Sequence, residues 1–244
     1  MTEVRLAVHN GTIAPLAQGT AARITGGLFV AYIVASVLGT MLGQIGMGDA
    51  PQVYQAIATN EGSFRLGLVA ALLSGLLFLL TAWGLYVLLR PINREFALLF
   101  LLLNAVGVAT QGASLMWLIS APMQGDAASQ MQAYSAAQLE GLGYLSINVY
   151  RLGFVTAQLF FGTWLFPLGY LVYRSGLVPR LLGILLLLDG IAVMIWFLQA
   201  LLLPDYPAIR YPGLIVSFIA EVGLAVWLLV KGVTVPDSKA GLAT

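Results

Sequence analysis

Six stretches of this 244-residue chain are apolar over the length that crosses a lipid bilayer, about 20 residues at 1.5 Å each. They fall near 24–46, 66–89, 96–120, 150–173, 181–203 and 213–230. In hydrocarbon every backbone N–H and C=O must be satisfied within the protein, so stretches of this length predict helices. The expected fold class is all-α: a polytopic membrane bundle of six transmembrane helices. Composition agrees, because 60% of residues are hydrophobic and only 9% are charged. So few charges cannot cover a soluble protein of this size. The first stretch exceeds a signal-peptide core and is expected to remain as an anchor.

Lys and Arg set the expected orientation. Arg5, Arg23, Arg90, Arg94, Arg174, Arg180, Lys231 and Lys239 fall on one side, and Arg65, Arg151 and Arg210 on the other. Both termini are therefore expected in the cytoplasm, with polar tails over 1–22 and 234–244 flanking a transmembrane domain over 23–233. The basic inner turns would also meet anionic lipid.

The outer connections carry helix signals. Asp49, Pro51 and Gln52 supply an N-cap, a first-turn proline and a capping-box partner, and Gly62 a stop. A short amphipathic helix is expected over 50–61, with Val53 and Ile57 on one face. A second is expected over 126–140, beginning at Asp126, with Met131 and Tyr134 three apart.

The chain writes one phrase twice: FRLGLVAA at 64–71 and YRLGFVTA at 150–157. Around it, Glu61-Gly62 echoes Glu140-Gly141, Tyr86 and Arg90 echo Tyr170 and Arg174, and LLLNAVGVA at 101–109 echoes LLLDGIAVM at 186–194. The unit is outer helix, inbound span, basic inner turn, outbound span. It recurs in the same orientation over about 50–120 and 130–203, the parallel kind of internal repeat. The order of FRLG, LYVLLRPINRE, GYLVYRSGLVPRLLG and AVWLLVKGV resembles a bacterial integral membrane family, domain of unknown function 4386, roughly from Arg23 to Val233. The resemblance implies a six-helix inner-membrane protein and brings no catalytic residue.

Polar groups gather at one depth. Asn104 lies nine residues past Glu95, Asp189 nine past Arg180, Thr81 nine before Arg90 and Tyr32 nine after Arg23. Glu221 is ten before Lys231, and Trp164 ten before Arg174. Nine or ten residues span roughly 14 Å, near the middle of a core of about 30 Å. Acids at that depth cost about 2.5–3.5 kcal/mol each to insert, so Asp189 and Glu221 should face the interior together. With no cation at their level, at least one is expected to hold its proton. They form a candidate ligand or proton site, an anchor for an amine or hydroxyl. The alternative is a neutral acid bonded to Asn104, Thr81 or a backbone carbonyl.

Two stripes lead outward from this layer. Asn104, Gln111 and Ser114 share a spacing with Asp189, Trp196 and Gln199, and Gln158 lies seven residues past Arg151. Together they could line a cavity open to the outside, with Arg65 and Arg151 at its outer mouth. Those arginines could instead snorkel, or pair with Glu61 and Glu140. Pro167 would free the carbonyl of Thr163. Small residues at Gly27, Ala31, Ala35, Gly39 and Gly43, and at Gly67, Ala71 and Gly75, fall four apart and predict close helix packing.

The chain has no cysteine, and its one histidine is His9 in the N-terminal tail. No catalytic residue, metal site or cofactor is expected, and both lysines lie too late in the chain for a buried Schiff base. Three functional readings remain. The first is binding or transport of a small, amphipathic molecule in a midplane polar cavity, with Asp189 and Glu221 as protonatable anchors. The second is an accessory or structural membrane subunit without its own cargo. The third is an intramembrane lipid-modifying enzyme using the two acids as acid and base. Expected partners are membrane lipids and a small-molecule ligand, not nucleic acid. Six spans are few for a lone transporter, which points to a homodimer or a membrane-complex partner.

Overall fold

Capping chemistry sets where the helices begin and end. A computed structural model describes residues 15–126 and 135–233, and among them all regular structure is helical. Seven α-helices follow in order: α1 Pro15–Gly43, α2 Ala50–Thr59, α3 Glu61–Leu89, α4 Arg94–Asp126, α5 Ala136–Ser175, α6 Arg180–Leu202 and α7 Tyr211–Val230. A 3-10 turn, Pro207–Arg210, leads into α7. All except α2 are long and apolar enough to cross a membrane. The polar tail expected over 1–22 is helical from Pro15 onward; residues 1–14 and 234–244, with His9, Arg5 and Lys239, lie outside the described residues.

The six long helices close a ring in chain order. Each packs on the next, and α7 returns to α1. Glycines set the closest approaches. A Cβ on Gly26 would stand 2.3 Å from the backbone nitrogen of Leu229, so α1 and α7 touch backbone to backbone. Gly67 meets Gly39 and Gly43 in the same way across α1 and α3, as their four-residue spacing predicted. On α6, a Cβ on Gly183 would lie 2.5 Å from the backbone nitrogen of Tyr173, and one on Gly190 3.1 Å from the carbonyl of Gly162.

Gly232 comes close to Gly19, so the described chain ends share one face of the ring. The turns bearing Arg90, Arg94, Arg174 and Arg180 lie on that face as well. The loop 44–49 and the turn 203–210 lie on the opposite, distal face. An apolar core of Phe100, Leu85, Leu168, Leu186, Leu228 and their neighbours fills the half of the ring toward the chain ends. A second core of Val53, Phe64, Leu118, Ile147 and Tyr150 fills the distal half under α2.

The capping box read from Asp49 and Gln52 is present: Oδ1 of Asp49 accepts from the Gln52 N–H, and Oε1 of Gln52 from the Asp49 N–H. The helix stops at Asn60 rather than Gly62. Asn60 leaves helical geometry, and its side chain accepts from the Ser63 N–H to cap α3. The second copy behaves differently. Asp126 closes α4, Met131 and Tyr134 lie outside the described residues, and 136–140 belong to α5 itself. Ser135 and Gln138 form a capping box there. The outer segment and the span then run as one helix of 40 residues, about 60 Å long, so α5 starts well before residue 150. Where the first copy has the capping residue Asn60 before its Glu-Gly pair, the second has Leu139, a good helix former that offers no cap. The protruding start of α5 supports α2, with the rings of Tyr54 and Tyr144 stacked at 4.7 Å.

Candidate functional site

Two adjoining cavities lie in the ring toward its distal face. A vestibule of about 580 Å³ lies between loop 46–49, α5, the end of α6 and the turn before α7. Below it is a chamber of about 210 Å³. Gly46, Met47, Phe154 and Trp196 line both, and so form the throat between them. The Phe154 and Trp196 rings stand 6.0 Å apart. The loop on the other side of the throat makes a tight reversal, with Gln44 at φ 57° and Gly46 at φ 96°. Glycine accepts that backbone at little cost. Side-chain hydroxyls help hold the loop: the Gly46 N–H donates to the Tyr150 hydroxyl at 2.8 Å, and Oγ1 of Thr40 donates to the Ile45 carbonyl at 2.9 Å.

The chamber has an aromatic floor. Tyr32 stacks on Phe78 at 4.3 Å, and Phe78 meets the edge of Trp164 at 5.1 Å and tilts against Phe161 at 5.3 Å. These rings rest on the apolar core toward the chain ends. Glu221 and Ser217 of α7 face into the chamber, with Gln111 and Gln158 on other walls. Behind Ser217 lies Asp189, wholly buried. The Ser217 hydroxyl donates to Oδ1 of Asp189, while Oδ2 is buried without a hydrogen-bond partner. Asp189 and Glu221 lie within Coulombic range of each other and of the Tyr32 hydroxyl.

The ten residues singled out from sequence fall in five places. Glu221, Gln111 and Gln158 line the chamber, and Trp196 lines both cavities. Asp189 sits one hydrogen bond behind the chamber wall. Gln199 and Arg151 line the vestibule. Amide groups of the two glutamines also brace their own helices, Gln158 to the Phe154 carbonyl and Gln199 to the Leu203 carbonyl. Thr81 and Asn104 are fully buried and line neither cavity. Thr81 donates to the Leu77 carbonyl at 2.8 Å, and both amide atoms of Asn104 lack a partner among the described residues. Neither bonds to Asp189; a serine does. Arg65 is exposed and ion-paired with Glu61, outside both cavities.

Four contributors escaped the sequence reading. Ser217 could have been found, because it lies one helical turn before Glu221 and so shares its face. Arg210 lines the vestibule beside Arg151, yet in sequence it is one more interfacial charge. Phe78 and Phe161 lie in apolar runs and carry no signal of a floor.

Chemically the site offers carboxyl, hydroxyl and amide groups over aromatic faces. Among the described residues, no three His, Cys, Asp or Glu side chains cluster to share a metal ion. Acids and ring faces together suit an ammonium or a hydroxyl group.

The chain matches the family described as Domain of unknown function (DUF4386) over residues 24–232. A protein of Archaeoglobus fulgidus bearing the name "Uncharacterized protein" is 29% identical over 156 residues, which are 62% of this chain and 74% of that one. No solved structure matches the chain.

Proposed function

From the premise that this chain belongs to the DUF4386 family and is a multi-pass membrane-helix protein, we propose that it binds or transports a small, amphipathic molecule in its midplane chamber. It resides in the cytoplasmic membrane with both termini in the cytoplasm, a reading supported by the bias of Lys and Arg toward the face of the chain ends. The ligand enters from the outer face through the vestibule and throat. Its amine or hydroxyl is anchored by Glu221, while Asp189 behind Ser217 completes a pair able to exchange a proton with the bound molecule.

The observation that carries this reading is Glu221. It lines a hollow deep in the ring, has no cationic partner among the described residues, and shares that hollow with aromatic rings of the kind that favour a cation. A purely structural acid at such depth would be expected to find a hydrogen-bond partner in packed protein.

Intact mass spectrometry of protein extracted gently from its own membrane tests the proposal. A small mass retained by the wild-type chain and released by Glu221→Gln is expected. Equal retention by the variant removes the reading. So does the absence of any retained mass, combined with no thermal response to a panel of small amines and alcohols.

A further inference from the structure

The vestibule has the opposite chemistry to the chamber beneath it. Arg151 from α5 and Arg210 from the turn before α7 both line it. Neither makes an ion pair among the described residues, whereas Arg65 on the same distal face is neutralised by Glu61. Nε of Arg210 is buried with no hydrogen-bond partner, and its guanidinium lies 5.6 Å from the centre of the Tyr211 ring. An arginine N–H buried without an acceptor is costly, so an acceptor from outside the chain would restore what the fold leaves unmet. The one acid lining the cavity, Asp49, has its Oδ1 engaged at the α2 cap. Leu152, Val155 and Leu201 line the same space and offer an apolar wall next to the two cations.

We infer that the vestibule is a binding site for a phosphate group, gripped by Arg151 and Arg210. A phosphate carries about −1.5 to −2 charges at neutral pH, which two guanidinium groups match in charge and in hydrogen-bond geometry. The phosphate comes either free or as the head of a single-chain amphiphile whose tail lies along the leucine wall. Arg151 and Arg210 line the vestibule and not the chamber, so the inference does not rest on what the chamber holds.

The test uses the full chain in dodecyl maltoside, an uncharged detergent, titrated separately with sodium phosphate and decyl phosphate. Tryptophan fluorescence is the readout, because Trp196 stands at the vestibule floor. Saturable binding is expected, weakened at least tenfold by Arg151→Gln and by Arg210→Gln. Arg65→Gln and Glu221→Gln should leave it within twofold, the latter separating this site from the chamber. Matching affinities for the two ligands identify a free phosphate as the natural occupant; binding of decyl phosphate alone identifies an amphiphile. Either result supports the site. A wild-type chain that responds to neither ligand overturns the inference, with no variant needed. So does a folded Arg151→Gln/Arg210→Gln double variant that binds like wild type, with helicity by circular dichroism confirming its fold.

Discussion

The hydroxyl of Ser217 on α7 donates to Oδ1 of Asp189 on α6, so a neutral side chain, not a cation, is the direct partner of this buried acid. Ser217 is also one turn from Glu221, and a single face of α7 therefore both braces one acid and presents the other to the chamber. This contact ties the α6–α7 interface to the site. In a double-mutant cycle of Ser217→Ala and Asp189→Ala, unfolding free energies should reveal a coupling of about 0.6 kcal/mol, and up to about 1.7 kcal/mol, the range for interhelical hydrogen bonds in membranes. Strictly additive effects would show that the two side chains do not interact.

Glu221 leads to a contrasting expectation. It faces a hollow and makes no hydrogen bond or ion pair with a described residue, so the fold gains little from it. Replacing it with leucine should leave stability unchanged or raise it by about 0.5–2 kcal/mol, as often happens when a functional polar group is removed. The same variant should lose whatever small molecule the wild-type protein retains. Thermal unfolding and intact mass spectrometry of one preparation check both halves. A marked drop in stability would make Glu221 a structural residue.

Depth was more legible in this sequence than azimuth. Counting residues from the basic turns brought Asp189, Glu221 and Tyr32 to one level and within electrostatic reach. The same count placed Asn104 and Thr81 there too, yet their side chains line no cavity. A span that is apolar all round gives rotation about its own axis only a faint imprint, because lipid and protein interior are equally apolar solvents. Turn chemistry read more clearly, as the Asp49–Gln52 capping box shows. It did not foresee that 136–140 belong to α5, where Leu139 offers no cap to interrupt the helix.

The absence of cysteine makes access to the chamber directly measurable. A single cysteine at Ser74, in the chamber wall, should react with a small charged methanethiosulfonate added from the distal side alone. A cysteine at Asn104, fully buried outside both cavities, should stay unreactive. Removing one side of the throat with Trp196→Ala should speed labelling at position 74 several-fold. Labelling that is equally fast from the two sides, or unaffected by the throat, would contradict a path through the vestibule.

Ring closure supplies a sharper test of helix rotation. Gly26 and Gly27 are adjacent, and the four-residue stripe of small residues runs through Gly27. In the folded ring it is Gly26 whose added Cβ would strike the backbone of Leu229 at 2.3 Å, whereas one on Gly27 would meet only the Cδ1 of Leu229, at 3.9 Å. A backbone atom cannot rotate aside as a side chain can, so Gly26→Ala must push α1 and α7 apart. The expected cost is about 1–3 kcal/mol, the usual penalty for overpacking, read as a lowered thermal midpoint. Gly27→Ala should be neutral, or stabilising by about 0.5–1 kcal/mol, because alanine is the better residue inside a helix. The opposite order of the two variants would mean that α1 is rotated by one residue relative to α7. Tyr32 and Thr40, carried on the same helix, would then be turned away from the chamber they line.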